Sequence, residues 1–296
     1  MQANGIIFKG IGGFYYVKRD GILYECKARG KFKNDKVIPM VGDYVTISVY
    51  DEEKKLGMIE EIHARKNTLL RPVVANVDQA IVVFSIKNPM PNITLLDKMV
   101  VLAEHSGLEV IICFNKSDLD ANFDFDNYKF IYEQAGYSVV KTCALTKDGV
   151  DDLLKLLQGK INVFSGPSGV GKSSLLNAIE DYAVEIGALS EKIKRGKHTT
   201  RHSELFELTN GGIIVDTPGF TSLSVQEIDP ENLSAYFPEF KKHAEICRFD
   251  NCLHQNEPGC EVKRAVDNQE ISKIRYDAYV YIYKEITEQR RKSKKW

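Results

Sequence analysis

The chain has 296 residues, 43% of them hydrophobic and 27% charged, and a net charge of −1. That length accommodates two or three domains of ~100–200 residues with a sizeable core, and no apolar run approaches the ~18 residues of a membrane span. The near-neutral total excludes a global attraction to nucleic acid, so any such binding must come from local basic patches.

Two such patches stand out, Arg29-Gly30-Lys31-Phe32-Lys33 and Arg290-Arg291-Lys292-Ser293-Lys294-Lys295; the plain reading of each is a solvated surface. Met1-Gln2-Ala3-Asn4-Gly5 lacks a basic region followed by an apolar stretch, so no signal peptide is expected and the expected compartment is the cytoplasm. No membrane association is expected.

Residues 1–67 read as short strands broken by glycine, clearest at Phe14–Val17, Val41–Ile47 and Gly57–Ile62. Short strands at this spacing, with no helical pattern, predict a small closed barrel. An OB-fold is the first choice and an SH3-like barrel the rival.

Residues 68–225 alternate strands and helices. Ala80–Phe84, Val110–Phe114, Ile161–Phe164 and Gly212–Val215 read as buried parallel strands. Asn92 is placed to cap a helix in which Leu96, Met99, Val100 and Ala103 repeat at helical spacing, with Gly107 just past its end. This is the pattern of a doubly wound α/β domain.

Asn115-Lys116-Ser117-Asp118 closes one of these strands. A carboxylate there accepts from guanine N1–H and the exocyclic amine; adenine leaves such an acceptor unpaired, a mismatch able to discriminate by ~10⁴. Cys143-Ala144-Leu145, after another strand, suits a backbone contact to guanine O6. Cys113 and Cys143 read as buried thiols, whereas Cys26 is uninformative.

Gly166-Pro167-Ser168-Gly169-Val170-Gly171-Lys172-Ser173 follows a strand and leads into a helical run that starts at Ser174. It fits the phosphate-loop pattern in the strand–loop–helix context that the motif requires. Backbone N–H groups cradle phosphates there, Lys172 reaches the β- and γ-phosphates, and Ser173 ligates magnesium.

Asp216-Thr217-Pro218-Gly219 comes last, with Asp216 holding magnesium through water and the Gly219 N–H meeting the γ-phosphate. Thr199 or Thr200 supplies the switch threonine, and spacing does not choose between them. Phe220 stands where a water-orienting glutamine is usual. His198 is the candidate replacement, against its reading as an exposed loop histidine.

Phosphate loop, Asp-x-x-Gly, Asn-Lys-x-Asp is the ordinary chain order, and here the set is complete but rotated. Such sites use loops at the carboxyl ends of parallel strands, so spatial arrangement matters and chain order does not.

Residues 226–296 carry a Cys/His cluster and then a long candidate helix over 274–290. Cys247, Cys252, His254 and Cys260 offer three thiols and an imidazole within fourteen residues, which suits one structural zinc ion. His243 is a competing ligand.

Barrel, rotated motifs and cluster together resemble the circularly permuted, small-ribosomal-subunit-dependent GTPases of bacteria, over nearly the whole chain. The marks are Asn115 to Asp118, Gly166 to Ser173, Gly196 to Thr200, Asp216 to Phe220 and the four Cys/His residues. The resemblance implies an N-terminal OB-fold, a central circularly permuted P-loop GTPase domain and a mostly helical, zinc-binding C-terminal domain. It also implies GTP hydrolysis stimulated by the 30S subunit, a role in late 30S maturation and a part for His198 in hydrolysis. The expected partners are GTP, GDP, the 30S subunit and its 16S rRNA, met by a monomer. The rival from another class is an RNA-binding assembly module whose guanine nucleotide only tunes affinity. An ATP-using P-loop enzyme is disfavoured by Asn115 to Asp118.

Overall fold

The structure is a computed structural model that describes residues 2–30, 32, 37–70, 72–185, 203–216 and 225–293. It opens with strands β1 (Gln2–Ile11), β2 (Phe14–Arg19), β3 (Ile22–Ala28), β4 (Tyr44–Asp51) and β5 (Leu56–Ile62). Their order is β1-β2-β3-β5-β4, with β4 pairing back onto β1 and β3 parallel to β5. This closed five-stranded arrangement is the OB-fold rather than the SH3-like alternative. Asp20-Gly21, both at positive φ, makes the tight β2–β3 turn, a dipeptide suited to a two-residue hairpin. Ile7, Val17, Cys26, Val45, Ile47 and Ile59 fill the barrel with no exposed surface. Val45 and Ile47 show the two-residue period that sends alternate side chains inward.

The strand expected over 41–47 starts instead at Tyr44. Gly42 turns at φ 88°, and Asp43 is buried to accept from Met40 N at 2.8 Å. Arg65 Nε meets the same carboxylate at 2.6 Å. A buried carboxylate with a specific cation partner sets a loop here, against the apolar alternation of its neighbours.

A short ribbon of β6 (Thr68–Leu70) and β7 (Val73–Ala75) follows. The alternating region then runs β8 (Gln79–Ser85), α1 (Ile93–His105), β9 (Glu109–Asn115), α2 (Phe125–Gln134) and β10 (Ser138–Lys141). It continues with α3 (Val150–Leu157), β11 (Ile161–Ser165), α4 (Lys172–Glu185), β12 (Glu204–Glu207) and β13 (Ile213–Asp216). Helix α1 begins as its sequence predicts: Asn92 Oδ1 accepts from Leu95 N at 3.0 Å, satisfying a donor of the first turn. Leu96, Met99, Val100 and Ala103 are all buried, and Gly107 follows the helix end at φ 69°. The chain closes with α5 (Lys241–Ala244), α6 (Glu261–Asp267) and α7 (Lys273–Ser293), the last matching the helix expected over 274–290.

Packing divides the described residues into two compact units. The first draws on 1–80, 150–165 and 176–221, and its strands run β11-β13-β12-β1-β2-β3-β5-β4. Its buried polar residues are paired: Gln79 Nε2 donates to Asn162 Oδ1, and Asn162 Nδ2 donates to Ile213 O at 2.9 Å. The second unit draws on 81–149, 166–175 and 222–296; in it β10 pairs in parallel with β9, which neighbours β8.

Within the second unit, Arg275 of α7 is wholly buried. Its Nη1 meets Asp97 of α1 at 2.5 Å, and its Nε meets Glu239 at 2.7 Å. Although burial opposes the charged form, these carboxylates hold its pKa well above the ordinary arginine value. Phe237 lies 4.7 Å from the guanidinium, and the Tyr132 and Tyr137 rings lie 5.5 Å away. Among the described residues, no helix is long and apolar enough to cross a membrane.

Candidate functional site

Three of the sequence-predicted segments meet around one side chain. Asn115 ends β9 and is 1% exposed. Its Nδ2 donates to Val170 O at 3.0 Å in the phosphate loop. Its Oδ1 accepts from Ala144 N at 3.3 Å and from Thr142 Oγ1 at 3.2 Å. One buried amide thus ties the Asn-Lys-x-Asp turn to the phosphate loop and to the Cys143-Ala144-Leu145 segment. Lys116, at φ 61°, bends the chain out of the strand, and its Nζ donates to Gly169 O at 2.6 Å and to Asn88 O. Asp118 sits exposed in the short 3₁₀ turn Ser117–Leu119, with the Cys143 thiol donating to its Oδ1 at 3.1 Å. Leu145 is exposed.

The phosphate loop needs glycine because other atoms approach it. A Cβ on Gly166, at φ 146°, would lie 2.1 Å from Val83 O. One on Gly171, at φ 91°, would lie 2.6 Å from Asn115 Nδ2. A side chain at either position would disrupt the turn. Lys172 Nζ spans the loop to Gly166 O and Pro167 O at 2.7 and 2.8 Å. Burial lowers its pKa, a cost that a neighbouring anion offsets. Val170 is buried, whereas Ser168, Gly169, Ser173 and Ser174 are exposed at the mouth of α4. Exposed loop N–H groups ahead of a helix N-terminus favour phosphate.

Asp216 is the last residue of β13, which runs parallel to β11. Gly196–Thr200, with His198, Thr199 and Thr200, and Thr217–Phe220, with Gly219, lie outside the described residues.

In the C-terminal region, one ligand atom each from Cys247, Cys252, His254 and Cys260 lies within 4.8 Å of all the others. His254 Nδ1 stands 3.4 Å from Cys260 Sγ and 3.7 Å from Cys247 Sγ. Burial pushes the Cys252 thiol up to about 12, and burial also lowers the His254 pKa. A bound cation reverses the thiol preference, and a neutral imidazole is the form that ligates. These four residues therefore make a set able to hold a metal ion. His243, the competing ligand, stands outside that set, with Nε2 3.8 Å from Glu270 Oε2.

The surrounding shell was not legible in the residue pattern. Glu257 accepts from Leu253 N at 3.1 Å and Gln255 N at 2.8 Å, so that, against the cost of burial, backbone donors hold its pKa below the usual value. Tyr276 and Tyr279 of α7 donate to His254 O and Leu253 O at 2.8 and 2.6 Å. Tyrosines three apart on one helix were the available signal.

A phosphate loop, a guanine-type turn joined to it, and a chain order that puts the turn first define a circularly permuted P-loop GTPase. Comparison with known proteins narrows the class. The RsgA N-terminal domain model matches residues 4–59 and the RsgA GTPase model matches 62–226. A small ribosomal subunit biogenesis GTPase RsgA from Alkaliphilus metalliredigens is 48% identical over 98% of this chain and 100% of its own. Its counterpart from Clostridium novyi is 50% identical over 96% and 97%. The crystal structure of YjeQ from Thermotoga maritima superposes with a TM-score of 0.85 at 38% identity, covering 97% of this chain and 99% of that one. YloQ, described as a circularly permuted GTPase, gives 0.85 and 38% over 98% and 96%. The chain belongs to the RsgA GTPase family, and it is a GTP hydrolase.

Proposed function

We propose that this protein hydrolyses GTP to GDP and phosphate in late maturation of the 30S ribosomal subunit, and that the subunit stimulates the reaction. The observation that carries the reading is the joining of guanine turn, base loop and phosphate loop through Asn115. Base, ribose and phosphates of one guanine nucleotide span those three loops.

Asp118 reads the guanine edge, and Ala144 and Leu145 present backbone to O6. The Gly166–Ser174 backbone and Lys172 hold the phosphates. Ser173 and Asp216 hold magnesium, which neutralises phosphate charge when bound. Thr199 or Thr200 and the Gly219 N–H meet the γ-phosphate. With Phe220 in the glutamine position, His198 orients the attacking water.

The Cys247, Cys252, His254 and Cys260 set holds one structural zinc. Three thiolates and one imidazole gathered this closely would suit a zinc ion, which would cross-link the loop. The spacings of 3.4, 3.7 and 4.0 Å among Cys260, His254 and Cys247 support that identity. Four protein ligands would complete the shell of such an ion, so its part would be structural.

We divide the chain into an rRNA-binding barrel over 1–67, a GTPase domain over 68–225 and a zinc-binding helical domain over 226–296. It acts in the cytoplasm as a monomer on 16S rRNA. Turnover of GTP and ATP, measured with and without 30S subunits, tests the proposal. GTP turnover that rises with subunits supports it. Salt-dependent RNA affinity without stimulated turnover overturns it in favour of a binding module whose nucleotide only tunes affinity.

A further inference from the structure

We propose that Tyr276, Tyr279 and Glu257 are positioning residues for the metal, holding His254 in a strained backbone that presents its imidazole to the thiols. The proposal rests on the reading that Cys247, Cys252, His254 and Cys260 hold zinc. His254 is 2% exposed and stands at φ 54°, in the left-handed region. A residue with a side chain adopts that region at a cost, and keeps it where its surroundings impose it. In this conformation its Nδ1 lies 3.4 Å from Cys260 Sγ and 3.7 Å from Cys247 Sγ.

The side chains that impose it come from outside the ligand set. Tyr279 donates to Leu253 O at 2.6 Å, and Tyr276 donates to His254 O at 2.8 Å. Glu257 accepts from Leu253 N at 3.1 Å and from Gln255 N at 2.8 Å. Both peptide groups that flank His254 are therefore held, and the rotation between them is what φ and ψ of that residue describe. The tyrosines are fixed in turn. Tyr279 is buried, its ring edge-on to Phe237 at 5.3 Å and to Phe240 at 5.2 Å. Arg275, next to Tyr276, is buried against Asp97 and Glu239. The loop is thus ordered by folding rather than by the metal, and preorganisation of this kind is expressed as affinity. Hydroxyls that merely stabilise α7 would leave metal affinity untouched.

The test is a zinc competition titration of the reduced, full-length protein against a chromophoric chelator. Tyr276→Phe with Tyr279→Phe keeps both rings and removes both donors. It is expected to weaken zinc binding by about tenfold or more, the scale on which partners behind metal ligands act. Glu257→Gln, which keeps one acceptor oxygen, should weaken it less. Tyr283→Phe, one turn further along α7, should leave it unchanged. Denaturation of metal-free and zinc-loaded protein gives a second readout. The double variant should lose more stability in the zinc-loaded form, because a ligand stabilises the folded state in proportion to its affinity. Tyr276→Phe alone carries the same comparison if the double variant does not fold. Wild-type zinc affinity in the tyrosine variants, with equal stability losses in both forms, overturns this inference alone. Wild-type protein that binds no zinc overturns the zinc reading along with it.

Discussion

At the scale of single residues, the proposed site separates base recognition at Asp118 from charge recognition at Lys172, and substitutions should separate likewise. Asp118→Asn replaces an acceptor by an amide that also donates. It should weaken GTP binding by about 10²-fold or more while improving binding of xanthosine nucleotides, as competition titrations with both would read. Lys172 reaches across the loop to Gly166 O and Pro167 O. Lys172→Ala should therefore weaken nucleotides of either base alike. His198→Ala is expected to lower subunit-stimulated kcat by about 10²-fold or more with GTP affinity nearly unchanged, because the loss falls on the transition state. Stimulated turnover at the wild-type rate would make His198 a loop residue only. The meeting of the Asn115 turn, the phosphate loop and the 143–145 segment was legible because such motifs sit at fixed places on a strand–loop–helix. The contacts made by Thr142 and the Cys143 side chain were not, since a hydrogen bond between segments 25 residues apart leaves no local pattern.

At the scale of elements, the α/β strands and α1 were readable from period and capping, whereas the buried ionic contact between α1 and α7 was not. Asp97 and Arg275 are 178 residues apart, and each reads alone as an ordinary polar face of a helix. Packed together, the Asp97 and Arg275 side chains are wholly buried, with Glu239 at their edge. Arg275→Ala strands the buried Asp97 carboxylate and leaves Glu239 unpaired at its edge, and should cost about 3–5 kcal/mol of stability. Arg275→Met with Asp97→Leu, which removes opposite charges together, should cost clearly less. Chemical denaturation of the three proteins decides it, and equal losses in both variants would show that packing rather than unpaired charge is at stake. The cluster of Cys247, Cys252, His254 and Cys260 was legible for the opposite reason: its ligands fall within one short stretch of chain. Replacing Cys252 or Cys260 with Ala should lower bound zinc and loosen the chain around α6, leaving GTP binding largely intact. Metal analysis together with hydrogen exchange reads both, and native protein that carries no zinc would remove the assignment.

At the scale of the whole molecule, the rotated chain order carries the consequence. Asp216 to Phe220, which answer to the γ-phosphate in our reading, lead within a few residues to Val225 and Ile228, both buried in the second unit. Arg290 near the end of α7 donates to Asp229 Oδ1 at 2.8 Å and to Ile228 O at 3.2 Å. The segment that follows the γ-phosphate motif is therefore anchored to a long helix, and α7 in turn holds the Cys/His loop through Tyr276 and Tyr279. In the ordinary motif order the same segment continues inside the nucleotide domain. Loss of the γ-phosphate releases local contacts, and a packed element with two arrangements turns such a release into a larger shift. A ligand biases such an equilibrium only by its differential affinity for the two states. The GTP form should therefore bind 30S subunits more tightly than the GDP form, by about tenfold or more for a coupling of ~1.4 kcal/mol. Titration of subunits with a non-hydrolysable GTP analogue and with GDP, at one fixed salt concentration because backbone contacts are salt-dependent, measures the difference. Equal affinities would remove the switch and leave the GTPase in place.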